Sequence, residues 1–255
     1  MIVMIELKEV TKKFNNTIAV DNISLKVKQG EVLGFLGPNG AGKTTTMRLI
    51  TGFLAPDSGS VIVDNMSVEI KPVEIKKRIG YLPEDNPLYT YFTAREYLNF
   101  IAAAREVTTD DGFKKLTRVC GINEIIDKSI SQLSRGYRQR VGLAATMLHD
   151  PMILILDEPT SGLDPNQIAE IRSLIKELGK EKTVILSTHI LSEVEATCDR
   201  VIIIDKGRIV GNGTVKELTT DVNKSMEEVF RELTLGSSLN DKCQMPNDKQ
   251  MSKSK

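Results

Sequence analysis

A chain of 255 residues, with 34 Lys and Arg against 34 Asp and Glu, is long enough for one large α/β domain carrying a sub-lobe. Its formal net charge of zero sets up no global positive field, so no nucleic-acid partner is expected. Cys120, Cys198 and Cys243 stand far apart and outside any metal-ligand spacing, and only two histidines occur; a structural zinc site is therefore not expected.

Residues 1 to 36 read as strands: the alternating MIELKEV, then IAVDNISLKV, a turn at Gln29 and Gly30, and the apolar run EVLGFLG. The N-terminal stretch lacks the basic start and cleavage region of a signal peptide. The longest apolar runs, such as MILIL and VIII, fall well short of the ~20 residues that span a bilayer. A cytosolic location is the expectation. A glycine-rich loop then leads into a helix, TTTMRLI, stopped by Gly52; LAPDSG is a turn, SVIVDN a further strand and IGYLP at 79 to 83 a short buried one.

From about 84 to 149 the pattern changes and predicts a helical insert throughout. Thr93 to Glu96 has the form of a capping box opening a helix through Ala104, Asp110 can cap a second that ends at Gly121, and Ser134 can cap a third. Strands and helices then alternate: PMILIL, the helix NQIAEIRSLIKEL after Asp164 and Pro165, TVILST, the helix ILSEVEATC, and RVIIID. Buried strands separated by helices imply a parallel sheet covered on both faces. The hairpin DKGRIVGNG and a helix SMEEVFREL close the domain, 1 to 236, and the polar composition after Gly236 predicts a disordered tail over 237 to 255.

Two segments carry chemistry. Gly37, Pro38, Asn39, Gly40, Ala41, Gly42, Lys43 and Thr44 fit G-x-x-x-x-G-K-[ST], with Thr45 following, between an apolar strand and a helix. The glycines let successive N–H groups turn inward around phosphate, Lys43 reaches the β/γ oxygens, and the Thr44 hydroxyl can ligate Mg²⁺. MILILDEP delivers Asp157 and Glu158 to the end of a buried strand. There Asp157 can hold the Mg²⁺ shell, and Glu158 can orient and polarise a water for in-line attack on a γ-phosphate.

A third segment, SQLSRGYRQRVGLA, opens a helix against the usual rule. Arg135 opposes the helix dipole, and Gly136 lowers helix propensity by about 1 kcal/mol relative to Ala. Both choices make sense if a phosphate approaches this helix end closely.

The loop GPNGAGKTT, the segments LSRGYRQR and LILDEP, SGLD at 161 to 164 and LSTH ending in His189 occur in the order found in ABC-type ATP-binding cassettes, and the resemblance covers about residues 2 to 235. It implies a P-loop NTPase core of parallel sheet, an N-terminal antiparallel β subdomain and an inserted α-helical subdomain. It also implies ATP and Mg²⁺ as ligands. His189 matches the switch histidine near the γ-phosphate, Asp164 the loop that crosses between subunits, and Phe14 the aromatic that stacks on adenine. In that family two cassettes meet head to tail, so that Ser134 and Gly136 of one would face the ATP held by the other. A homodimer, or a heterodimer with a similar cassette, is implied.

The chain departs from the family at three positions. Glu84 stands where Gln is usual, as a candidate metal ligand beside Thr44 and Asp157; Arg135 and Tyr137 replace the signature's Gly and Gln, with Arg135 expected at the rim. Six of the twelve aromatics, Tyr81, Tyr89, Tyr91, Phe92, Tyr97 and Phe100, fall between 81 and 100. An apolar, Tyr-rich surface suits a partner helix. The resemblance to single-cassette multidrug, antibiotic and gliding-motility systems implies the ATPase subunit of an exporter, peripheral on the inner face of the membrane, docked on a separate permease through about 84 to 92. A cytosolic assembly or scaffold ATPase is the competing reading.

Overall fold

The computed structural model describes residues 2–108, 111–220 and 224–242. The chain opens with a long hairpin, β1 (Val3–Phe14) and β2 (Thr17–Lys28). Its period-two pattern turns Ile5, Leu7, Val20, Ile23, Leu25 and Val27 inward. β3 (Val32–Leu36) is buried at every position and runs through the glycine loop into α1 (Lys43–Ile50). β4 (Ser58–Val63) and β5 (Met66–Ser67) complete an antiparallel four-stranded sheet in the order β2-β1-β4-β5.

A short helix the sequence pattern did not predict, α2 (Pro72–Arg78), precedes β6 (Ile79–Leu82). Two turns buried at one position, Ile75, are too short to write a hydrophobic period. The expected helical insert starts later than its predicted boundary: residues 83 to 93 form a loop. Pro83 and Pro87 lack backbone donors, and Asn86 takes a left-handed φ of 40°, which together forbid a helix. The insert proper holds α3 (Ala94–Ala104), opened by the full Thr93/Glu96 capping box, α4 (Asp111–Val119), two single 3₁₀ turns and α5 (Arg135–Met147). The Asp110 cap lies outside the described residues.

β7 (Ile153–Asp157), α6 (Pro165–Gly179), β8 (Thr183–Thr188), α7 (Leu191–Thr197), β9 (Arg200–Asp205) and β10 (Arg208–Gly213) follow. They build a six-stranded sheet in the order β10-β9-β3-β8-β7-β6, parallel except for the edge strand β10. One apolar cluster joins its inner face to α1 and the small sheet; another joins the opposite face to the helical insert and α6. A short helix, α8 (Val215–Thr220), again unpredicted, and α9 (Met226–Lys242) end the described chain. α9 continues six residues past Gly236, where composition predicted the tail to begin. Met226 and Val229 anchor its first turns in the core, and once nucleated a helix propagates at one hydrogen bond per residue. Residues 243 to 255 lie outside the described residues.

Among the described residues no helix is long and apolar enough to cross a membrane. For the site, the decisive fact is register: Leu36 of β3 pairs with Thr188 of β8, and Asp157 of β7 pairs with Ser187. Three strands therefore end at one edge, where α/β sheets place ligands.

Candidate functional site

The loop after β3 is shaped by two left-handed glycines, Gly40 at φ 80° and Gly42 at φ 104°. Gly42 is the N-cap of α1 and supplies no side-chain capping bond, so the first N–H groups of α1 face the loop interior with the positive end of the helix dipole. A Cβ on Gly37 would lie 2.3 Å from the Ile204 carbonyl oxygen and one on Gly42 2.4 Å from that of Ala19; only glycine passes this close to a neighbouring backbone. Ala41 is buried, its N–H donating to the Pro38 carbonyl and its own carbonyl accepting from Gly207. Lys43 lies folded inward, 6% exposed, donating to the carbonyls of Gly37 and Pro38 at 2.8 and 3.2 Å. A cleft of about 340 Å³ opens here, lined by Asn39, Gly40, Gly42, Lys43, Thr44 and Thr45, with Glu84 and Glu158 across from them.

Asp157 is fully buried at the end of β7. Its Oδ1 accepts from the Ser187 hydroxyl, while Oδ2 has no hydrogen-bond partner among the described residues. Glu158 leaves the strand in a left-handed conformation, φ 48°, held by its N–H on the Ser187 carbonyl and hydroxyl, each at 3.1 Å. That turn aims the Glu158 carboxylate between two cationic or protonatable groups: Lys43 Nζ at 3.3 Å from Oε1 and His189 Nδ1 at 2.8 Å from Oε2. Burial, and next the Asp157 carboxylate, push the Tyr81 hydroxyl up to about 12, so Tyr81 stays neutral beside the acids.

The donors present are all oxygens: the Thr44 hydroxyl on the cleft wall and the unsatisfied buried Asp157 Oδ2. That set fits a hard divalent ion such as Mg²⁺. Among the described residues no group of three or more His, Cys, Asp and Glu is arranged for a metal, so an ion here would complete its shell with phosphate and water oxygens.

The helix start that opposed the dipole rule is organised differently. Ser134 is the N-cap of α5, its hydroxyl accepting from the Tyr137 N–H. The arginines around it turn away to other partners. Arg138 donates to the carbonyls of Leu133 and Ser131, Arg140 to that of Cys120 and to Glu170. Exposed Arg135 lays its guanidinium over Gly162, where a Cβ would meet its central carbon at 2.4 Å. Arg135 thus spans from the start of α5 to the 161–164 loop. Asp164 in that loop caps α6, accepting from the Gln167 N–H at 2.9 Å. Ser134, Gly136, Tyr137, Arg140, Gln167 and Glu170 line a second cleft of about 370 Å³, which shares no residue with the first.

Phe14 sits exposed at the end of β1, with Lys12 Nζ 5.8 Å from its ring centre; it lines neither cleft. The sequence reading missed several residues that position the site. Ser187 was visible only as part of LSTH. Asn86 was hidden in the loop, where its Nδ2 donates to the Arg138 carbonyl at 2.9 Å and its side chain fills the space over Gly142 of α5, 2.1 Å from where a Cβ there would sit. Glu193 carried a readable signal, because it shares the buried stripe of α7 with Val194 and Thr197.

A strand, a glycine loop whose lysine faces inward, and paired acids at the end of a neighbouring strand together define a P-loop nucleotide site. Residues 20–161 match the family described as ABC transporter. The chain is 40% identical over 222 residues, 86% of its length and 73% of the relative's, to the uncharacterized ABC transporter ATP-binding protein YhcH of Bacillus subtilis. It is 39% identical over 212 residues, 82% of its length and 69% of the relative's, to the bacitracin transport ATP-binding protein BcrA of Bacillus licheniformis. Among solved structures, the ATP-binding cassette MJ0796, a dimer in a post-hydrolysis state bound to ADP and Pi, matches with a TM-score of 0.75 at 26% identity over 83% of this chain and 98% of that one. The chain belongs to the ABC transporter family and is one of its ATP-binding cassettes, an ATPase.

Proposed function

We propose that this cassette energises export by a separate membrane subunit, working as a dimer on the cytoplasmic face with ATP shared between protomers. The observation that carries the reading is the pair of separate clefts: the glycine loop and acids in one, the α5 helix start with Ser134 and Gly136 in the other. Each is half of a phosphate site, and a head-to-tail pair of cassettes, identical or similar, would complete both.

In this reading the N–H groups of residues 37 to 45 and Lys43 bind the phosphates of ATP. Glu158, aimed by its left-handed backbone, orients the attacking water and takes up its proton density, and His189 holds Glu158 in place through the 2.8 Å contact. Thr44, Asp157 and Glu84 would hold Mg²⁺, which would supply neutralisation of the phosphate charge. Asp164 positions the crossing loop, and Phe14 stacks on the adenine. The permease is assigned to residues 84 to 92, where Tyr89 and Tyr91 are 44% and 77% exposed. This surface favours the transport role over a soluble assembly factor.

Glu158→Gln tests the chemistry: ATP binding is retained, hydrolysis slows on the order of 10²- to 10³-fold, and an ATP-dependent dimer accumulates in sizing chromatography. A monomer that hydrolyses ATP at the full rate would refute the shared site. Tyr91→Lys tests the docking: recovery with membranes from cells expressing the native partners falls while ATP affinity holds. Unchanged recovery would return the scaffold reading to first place.

A further inference from the structure

Glu193, on the first turn of α7, is fully buried. Its Oε2 accepts from the Thr188 hydroxyl at 2.6 Å and its Oε1 from the Thr160 hydroxyl. Among the described residues the nearest cation is Arg172 of α6 at 4.0 Å, a side chain that donates to Ser192 next door. Burying a carboxylate without a close cation is costly even after relaxation, and complementing the helix dipole returns only a small part of that cost. Stability alone therefore gives no reason for an acid at this position.

Its two partners give one. Thr160 lies two residues after Glu158, and Thr188 lies immediately before His189. The β7–β8 ladder ends at Asp157 and Ser187, and past the Glu158 N–H on the Ser187 carbonyl the two segments separate. Thr188 is also tied to the glycine loop, accepting from the Gly37 N–H at 3.3 Å, and its hydroxyl accepts from the Ile190 N–H at 3.0 Å. The two oxygens of Glu193 span the gap that the sheet no longer closes.

We infer that Glu193 is a positioning residue for hydrolysis: its carboxylate bridges the Thr160 and Thr188 hydroxyls and so fixes the distance at which His189 meets Glu158. The inference rests on the roles given above to Glu158 and His189. It predicts an effect on turnover routed through His189, with nucleotide binding untouched, because neither threonine lines the ATP cleft.

The test is a double-mutant cycle on the full chain, reading steady-state ATPase and the affinity for a fluorescent ATP analogue. Glu193→Leu lowers kcat on the order of 10- to 100-fold, the scale of a misplaced catalytic pair, with nucleotide affinity kept. In a His189→Ala background the same change alters kcat by less than about 2-fold, because coupled residues are non-additive. Glu193→Gln, able to accept from one threonine and donate to the other, restores most of kcat. Equal fold-losses in both backgrounds, or a loss of affinity at unchanged kcat, overturn the bridge. If Glu193→Leu does not fold, Thr160→Val removes one arm and enters the same cycle with the same expected and overturning results. Full activity of both Glu158→Gln and His189→Ala would overturn the reading of the site and the bridge together; slow single variants that combine additively overturn the bridge alone.

Discussion

Replacing Gly136 by alanine separates two reasons for a glycine in the first turn of α5, structure and close approach by a ligand. Alanine gains about 1 kcal/mol of helix propensity. Against this, the new Cβ would lie 2.7 Å from Gln167 Cδ, 2.9 Å from its Oε1 and 3.0 Å from its Nε2. All three atoms end a flexible side chain, so the cost is a rotamer adjustment of about 0.5 to 1.5 kcal/mol. The two effects cancel to within about 1 kcal/mol, a shift of roughly 2 to 4 °C in Tm for a chain of this size. Function responds differently. In the proposed head-to-tail dimer the methyl group would enter the cleft beside Ser134 and push back a phosphate approaching from the other protomer, and a displacement near 1 Å would slow turnover on the order of 100-fold. Thermal unfolding and steady-state ATPase on the same preparation decide the matter. Unchanged ATPase would refute the phosphate contact, and a drop in Tm beyond about 8 °C would show that the glycine serves the fold.

Lys43→Ala removes the charged donor of the glycine loop, and charge-assisted hydrogen bonds contribute about 1.5 to 3 kcal/mol each; ATP affinity measured by calorimetry should fall at least about 10-fold. His149 gives a pH signature. Burial, and next the neighbouring Arg105, push it from 6.5 down to about 4, so between those values the unfolded chain binds a proton that the folded chain refuses. Its contribution to stability is present above about 6.5 and is lost as pH falls toward about 4. Urea midpoints at pH 7.5 and 5.0 should therefore converge in His149→Gln relative to the parent chain; an identical acid loss in both would assign the loss to other groups.

The parts of the fold with long periods were legible. The buried strands β3, β7, β8 and β9, the amphipathic α3 and α6, and the Thr93 and Ser134 caps follow from apolar spacing and cap residues. α2 and α8, each under two full turns, left no period to read, and the insert boundary near 84 falls ahead of its first helix, which begins at the Thr93 cap. At the site, the glycine loop and acids were legible because their chemistry demands fixed residue types at fixed spacing. Ser187 and Asn86 were not, because each acts through a contact set by strand register or loop path. Ser187 lies 29 residues from the N–H it accepts, and no local pattern encodes such a distance.

Asn86 is the point where the Tyr-rich loop is hooked to α5. Its amide holds the Arg138 carbonyl, and its side chain occupies the hollow left by Gly142. A partner seated on residues 84 to 92 would therefore have a mechanical handle on the helix whose far end would, in the proposed dimer, face the other protomer's nucleotide. Linkage makes such a handle work in both directions with equal free energy. A permease that changed shape under load would alter the tightness of dimer closure as surely as ATP would alter the shape of the permease, and any side chain at position 142 would disconnect the two without touching either ligand.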